Sequence, residues 1–172
     1  MSNTVVTFES TYGSTRDYAE ELAERLNTQA LPYEDAKAAL VADPEAAVIV
    51  LGPVHGPSNA GVDFIKSTPL EGHRVALCTV GMTLDEVAVA KDGAKGPLGD
   101  KAEAVTRFYL PGRMNYSELS QAHRSVMWTV VKMLKMKPKK NDNDRMMIDT
   151  FDTDVDRVDF SRLDPVVDWA HA

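Results

Sequence analysis

Cys78 is the one cysteine in 172 residues, so no intrachain disulfide and no thiolate metal cluster can form. No apolar run approaches the roughly 18 residues that a membrane-spanning helix needs. Positive charge is in deficit: 19 Lys and Arg against 26 Asp and Glu give a net charge of −7, which argues against nucleic acid as a partner because phosphate backbones want a basic face. The start Met1-Ser2-Asn3-Thr4 shows no basic segment followed by an apolar stretch and a small-residue cleavage site, so the cytoplasm is the expected address.

Several catalytic signatures are missing as well. Neither G-x-G-x-x-G nor G-x-x-x-x-G-K-[ST] follows the first strand-like run, which excludes the usual dinucleotide and nucleoside triphosphate loops. No G-x-S-x-G elbow exists to make Ser14 a hydrolase nucleophile. His73, His123 and His171 lack ligand-like spacing, and no metal site is expected. Asp142, Asp144, Asp149, Asp152, Asp154 and Asp156 lack the glycine and distal glutamate of a calcium loop and read as a solvated acidic segment.

What is present suits one globular domain over residues 1–172, with 44% hydrophobic and 26% charged residues. Thr4-Val5-Val6-Thr7-Phe8 is a β-branched and aromatic run, the pattern of a central strand. Ser14 offers a helix N-cap with Asp17 three residues on, and Tyr18, Ala19, Leu22, Ala23 and Leu26 recur at helical spacing. Leu31-Pro32-Tyr33 predicts a short second strand, held to an edge by Pro32, and an Ala-rich helix runs from Asp35 to Leu40. The unbroken run Ala47-Val48-Ile49-Val50-Leu51 predicts a strand covered on both faces. A helix near 61–67, a buried strand at 74–80 with Cys78 as a small core hydrophobe, a weak helix at 84–91 and a strand at 106–110 complete the alternation. Such alternation predicts an α/β domain with a parallel sheet and helices on both faces.

Residues 115–144 exceed a minimal domain of this kind. Asn115 is expected to cap a long helix with Glu118 at its third position, and Leu119, Val126, Met127, Val130, Val131 and Leu134 form its stripe beside Trp128, Met133 and Met136. Lys132, Lys135, Lys137, Lys139 and Lys140 gather at its C-terminal end. Either this helix packs its apolar face on the sheet with its lysines in water, or it touches anionic lipid or the carboxylates of a tetrapyrrole. Met146-Met147-Ile148-Asp149-Thr150 reads as another strand, and 161–171 as a closing helix with Leu163, Val166, Val167 and Ala170 inward.

The chemistry points to the loop Ser10-Thr11-Tyr12-Gly13-Ser14-Thr15, between the first strand and first helix. It places free backbone amides and several hydroxyls at a helix N-terminus, where the dipole favours an anion. One glycine and no lysine suit a terminal monophosphate held largely by neutral donors; read in isolation, the same residues are a helix cap and a turn. Two further small-residue loops, 52–58 and 81–85, lie at strand carboxyl ends, where open parallel sheets bind ligands.

Strand, Ser-Thr-Tyr-Gly-Ser-Thr, then Arg16-Asp17-Tyr18-Ala19-Glu20 at a helix head resembles the FMN-phosphate loop of the flavodoxin family. The Tyr-Gly-Ser-Thr form, Asp63-Phe64-Ile65-Lys66, Met133-Leu134-Lys135-Met136, and Asp156-Arg157-Val158-Asp159 with Val166-Val167-Asp168-Trp169-Ala170 are similar to the branch containing menaquinone-dependent protoporphyrinogen dehydrogenase. The resemblance implies a three-layer sandwich with a five-stranded parallel sheet in the order 2-1-3-4-5, and a helical insertion at 115–144 near the fifth strand. It implies that Ser10, Thr11, Tyr12, Gly13, Ser14 and Thr15 hold the FMN phosphate. Pro53, Val54, His55 and Gly56 would border the flavin ring on one side, and Val80, Gly81, Met82 and Thr83 on the other. Neither bordering loop carries the aromatic ring that usually stacks on a flavin, so His55, Met82 or Tyr12 would take that place. His55 is also the one candidate proton donor. The implied activity is that of an FMN-dependent oxidoreductase with a tetrapyrrole substrate and a quinone acceptor. An electron carrier without its own substrate, working through a redox partner, and a cofactor-free binding module are the alternatives.

Overall fold

A computed structural model describes residues 3–172; Met1 and Ser2, on which the reading of a leaderless start partly rests, lie outside them. Along the chain the elements are β1 (Thr4–Phe8), α1 (Ser14–Arg25), β2 (Ala30–Pro32), α2 (Tyr33–Ala42), β3 (Ala47–His55), β4 (Ser58–Asn59), α3 (Ala60–Ser67), β5 (Val75–Gly81), α4 (Asp85–Lys91), α5 (Lys95–Leu98), β6 (Val105–Pro111), β7 (Arg113–Met114), α6 (Gln121–Met136), α7 (Asp142–Asp149), β8 (Val155–Asp156) and α8 (Asp164–His171). Short 3-10 turns stand at Gly99–Ala104, Tyr116–Glu118 and Phe160–Leu163.

Five parallel strands run β2-β1-β3-β5-β6, the expected 2-1-3-4-5 order, and β4 adds a sixth that pairs antiparallel with the end of β3. The sixth strand arises because 52–58 is not an open loop. β3 continues to His55, turns at Gly56 (φ 59°) and Pro57, and returns with Ser58 opposite His55. Period-2 alternation divides the core between the two faces of the sheet. Val48 and Val50 of β3 join Val5, Leu77, Val62 and Ile65 on the side of α2 and α3. Ile49 and Leu51 join Val6, Phe8, Cys78 and Leu110 on the side of α1 and α8, where Tyr18 and Leu22 meet Leu163 and Val166. This double coverage is why β3 carries an uninterrupted apolar run.

Gly52 marks a point where helix and strand touch: a Cβ there would stand 2.4 Å from the backbone nitrogen of Gly61. β2 is an edge strand, as Pro32 requires, but Tyr33 belongs to α2 rather than to the strand. Three further expectations are corrected. Gly13, at φ 100°, occupies the cap position of α1 in place of Ser14, which is already helical. Asn115 precedes only a 3-10 turn, and α6 starts six residues later with Ser120 accepting the His123 N–H at 3.2 Å. Residues 146–150 are helix and turn rather than strand. Asn141 and Asp144 form a reciprocal capping box that starts α7 just before them.

Candidate functional site

The carboxyl ends of β1, β3 and β5 open into a cavity of about 330 Å³. Of the residues expected there, Thr11, Tyr12, Ser14, Thr15, Pro53, Val54, His55, Gly56, Val80, Gly81 and Met82 line it. Ser10, Gly13 and Thr83 stand behind the lining. Ser10 Oγ accepts the Gly13 N–H at 3.1 Å and shapes the loop, while the Thr83 carbonyl accepts the Tyr109 hydroxyl at 2.8 Å. Burial pushes the Tyr109 phenol up to about 12, so it stays a hydroxyl donor.

The floor is the N-terminus of α1. Its first-turn amides, at Ser14, Thr15 and Arg16, have no partner within the helix. The side chains of Ser14 (8% exposed) and Thr15 (2%) are sunk into the floor. A glycine at position 13 is required by its positive φ, which keeps the turn tight against the helix. Gly112 does similar work on the far side. A Cβ there would lie 3.1 Å from Val80 Cγ1 and 3.4 Å from Ser14 Oγ, so glycine lets the chain after β6 close onto the loop.

Beside this floor stands a cation that spacing arguments missed. The Arg113 guanidinium donates from Nε to Asp156 at 2.9 Å and from Nη2 to Asp17 at 3.0 Å. Hydrogen bonds to these two carboxylates hold its pKa above the ordinary arginine value. Its remaining nitrogen, Nη1, lies 3.7 Å from where a Cβ of Gly13 would be, so an N–H edge of the guanidinium faces the hydroxyl-rich loop while Asp17 and Asp156 balance its charge. The available signal was the Pro111-Gly112-Arg113 turn directly after a strand, but only the sheet order brings that strand end near β1.

The walls are the β3–β4 hairpin and the chain after β5. The second wall is tied from behind: Arg157 Nη2 donates to the Met82 carbonyl, and Asn143 Oδ1 accepts the Leu84 N–H at 2.9 Å. The roof comes from α6 and its approach, with Met114, Leu119, His123, Val126 and Met127. His123 adds a second imidazole to that of His55 in the cavity lining. Its Nδ1 shares a hydrogen bond with the hydroxyl of Tyr12, and its ring lies 5.8 Å from that of His55 with 13° between their planes. Tyr12 meets both imidazoles edge-on, at 6.2 Å and 5.8 Å. Loss of hydration lowers the His55 pKa, the neighbouring His123 lowers it further, and Glu9 partly offsets both. The cavity wall therefore carries a neutral imidazole at pH 7. His123 is 111 residues from Tyr12 in sequence, and nothing in the spacing of histidines signals the pairing.

A second cavity of about 470 Å³ lies across Pro53 and His55, lined by Glu9, Glu34, Asp63 and Lys37 among others. Three carboxylates against one lysine repel a phosphate, so an anionic ligand is directed to the first cavity. Among the described residues no group of three or more His, Cys, Asp and Glu is placed to hold a metal ion.

The family model of the flavodoxin domain matches residues 5–141, from β1 to the cap of α7. No curated protein matches the chain.

Proposed function

Because this chain belongs to the flavodoxin domain family, we propose that its cavity holds FMN and that the protein is an oxidoreductase of the protoporphyrinogen dehydrogenase kind, with a reduced tetrapyrrole as donor and a quinone as acceptor. The observation that carries the reading is the floor of the cavity: unpartnered first-turn amides of α1, the buried Ser14 and Thr15, and Arg113 alongside. Amides, hydroxyls and one guanidinium at a helix N-terminus are the donor set of a phosphate monoester. FMN, when bound, supplies reversible uptake of electrons that no side chain of this protein can provide.

The chain's own residues do the rest. Ser14, Thr15 and Arg113 bind the phosphate. The 54–57 hairpin and Val80–Met82 leave a slot for a flat ring, and His123 and Met127 cover it and exclude water. His55, kept neutral, accepts or returns a proton at the edge of the slot. Apolar groups at the roof, Leu119, Val126 and Met127, suit a flat, poorly soluble second substrate.

The test is an absorption and fluorescence titration with FMN of the wild type and of Ser14→Glu, with folding of the variant checked by circular dichroism. The wild type is expected to bind and quench FMN. The glutamate, a buried carboxylate facing a phosphate, is expected to weaken binding on the order of a hundredfold or more. A wild type that ignores FMN overturns the reading. Anaerobic mixing then separates enzyme from carrier: the bound flavin is reduced by a reduced tetrapyrrole and reoxidised by a quinone if the protein is the enzyme, and by neither if it is a carrier.

A further inference from the structure

α6 carries two apolar stripes where one would suffice for packing. His123, Met127, Val130, Val131 and Leu134 face the protein, and of these Val131 is fully buried. The outer face is apolar as well: Val126 is 55% exposed, Met133 62% and Met136 70%, and Trp128, 54% exposed, lies further round the helix beside Lys132. Packing therefore accounts for only half of the apolar pattern in this helix. The cations beside it are also in excess. Lys137 pairs with Asp144 at 2.6 Å, and Lys140 donates to the Lys137 carbonyl. Among the described residues Lys132, Lys135 and Lys139 have no carboxylate partner, and Lys132 Nζ stands 4.8 Å over the ring of Trp128.

We infer that the outer face of α6, with the lysines that follow it, docks the protein on an anionic lipid surface. A basic strip on a chain of net charge −7 selects an anionic counterpart. Exposed thioethers and an indole beside it require an apolar phase at the same depth. The boundary between lipid phosphates and acyl chains supplies both, and a helix of 16 residues, about 24 Å long, lies along it rather than through it. No helix among the described residues is long and apolar enough to cross a membrane. A second copy of the chain fits worse, because it would set lysine against lysine. Val126 belongs both to the exposed stripe and to the lining of the cavity, so docking brings the mouth of the cavity to the bilayer. On the oxidoreductase reading, and only on it, a membrane-dissolved quinone then reaches the slot without crossing water.

Vesicle binding tests this with the full chain, using phosphatidylcholine alone and an equal mixture of phosphatidylcholine and phosphatidylglycerol. The chain has two tryptophans, and Trp169→Phe leaves Trp128 as the reporter. Sedimentation with the mixed vesicles, a blue shift of Trp128, and loss of both in rising salt are expected. Each of Lys132→Gln, Lys135→Gln and Lys139→Gln should lower the partition coefficient about fivefold, and the triple variant on the order of a hundredfold. Met133→Ser with Met136→Ser should weaken binding at all salt concentrations, and Lys91→Gln on α4 should leave it unchanged. Equal binding to both vesicle types, no binding at low salt, or a salt-sensitive dimer abolished by the same lysine changes would each overturn the proposal. FMN affinity should be the same in the lysine variants and the wild type, so failure of vesicle binding and failure of the flavin reading are separately visible.

Discussion

At the scale of single residues, the cavity depends on side chains whose roles come from their neighbours. His55 is a loop histidine by sequence, yet desolvation and the adjacent His123 lower its pKa. The sign of the pH effect follows. The fold favours the neutral imidazole, so its contribution to stability is complete above about pH 6.5, the ordinary histidine value, and is lost as pH falls through the lowered one. Thermal melts between pH 8 and pH 5 should show Tm falling below about pH 6.5, and His55→Gln should flatten that part of the profile. Tyr12→Phe and His123→Ala both remove the bond that ties α6 to the β1–α1 loop. Each should weaken FMN binding by about tenfold, the worth of one hydrogen bond or lost ring contact at ~1.4 kcal/mol, while leaving far-UV circular dichroism unchanged. Cys78 illustrates the opposite case, where the sequence pattern sufficed. It is fully buried, burial pushes its thiol well up, and alkylation of the native protein should proceed only at the rate of unfolding.

At the scale of elements, strands and helices inside the sheet region were legible because hydrophobic period and burial agree there. The run from Ala47 to Leu51 is buried on both faces, and Tyr18, Ala19, Leu22 and Ala23 form the inward stripe of α1. At the ends of the insertion the sequence pattern and the fold diverge. Asn115 and Glu118 have the spacing of a helix start, and Asn115 Nδ2 does donate to Glu118 at 3.2 Å. Tyr116 and Leu119 are nevertheless buried, which anchors the segment as a turn and delays α6 until Ser120. Ser120→Ala should therefore cost about 1 kcal/mol in urea unfolding and Asn115→Ala distinctly less. Residues 146–150 diverge from their sequence pattern for another reason. A short apolar run fits strand and helix equally, and the decision lies upstream, in the Asn141–Asp144 capping box that Lys137 reinforces. Asn141→Ala should likewise cost about 1 kcal/mol and lower the helical signal of α7.

At the scale of the whole molecule, the C-terminal segment beyond the family match is part of both the core and the site. Leu163 and Val166 are fully buried against α1 and β6 residues, and Arg25 reaches Asp164 at 2.9 Å. Leu163→Ala should destabilise by about 2–5 kcal/mol, read as a lower urea midpoint at constant slope. The same segment sends Asp156 to Arg113 and Arg157 to the carbonyl of Met82, so it buttresses the cavity from behind. Arg157→Leu should loosen the Val80–Met82 wall and raise the Kd for FMN more than it lowers Tm.

Beyond the strand order, which only the family resemblance implied, the sequence by itself determined the α/β class and the hydroxyl-rich loop at the head of α1. These rest on local periodicity and on a contiguous motif, which need no knowledge of distant neighbours. Tertiary structure alone decided that β3 runs on into a hairpin, that Arg113 stands beside the loop, that His123 faces His55 and Tyr12, and that half of the apolar pattern of α6 points to water. The last three depend on which strand ends and helix faces are brought together across the sheet. Contacts between residues about a hundred positions apart leave no periodic trace in the chain.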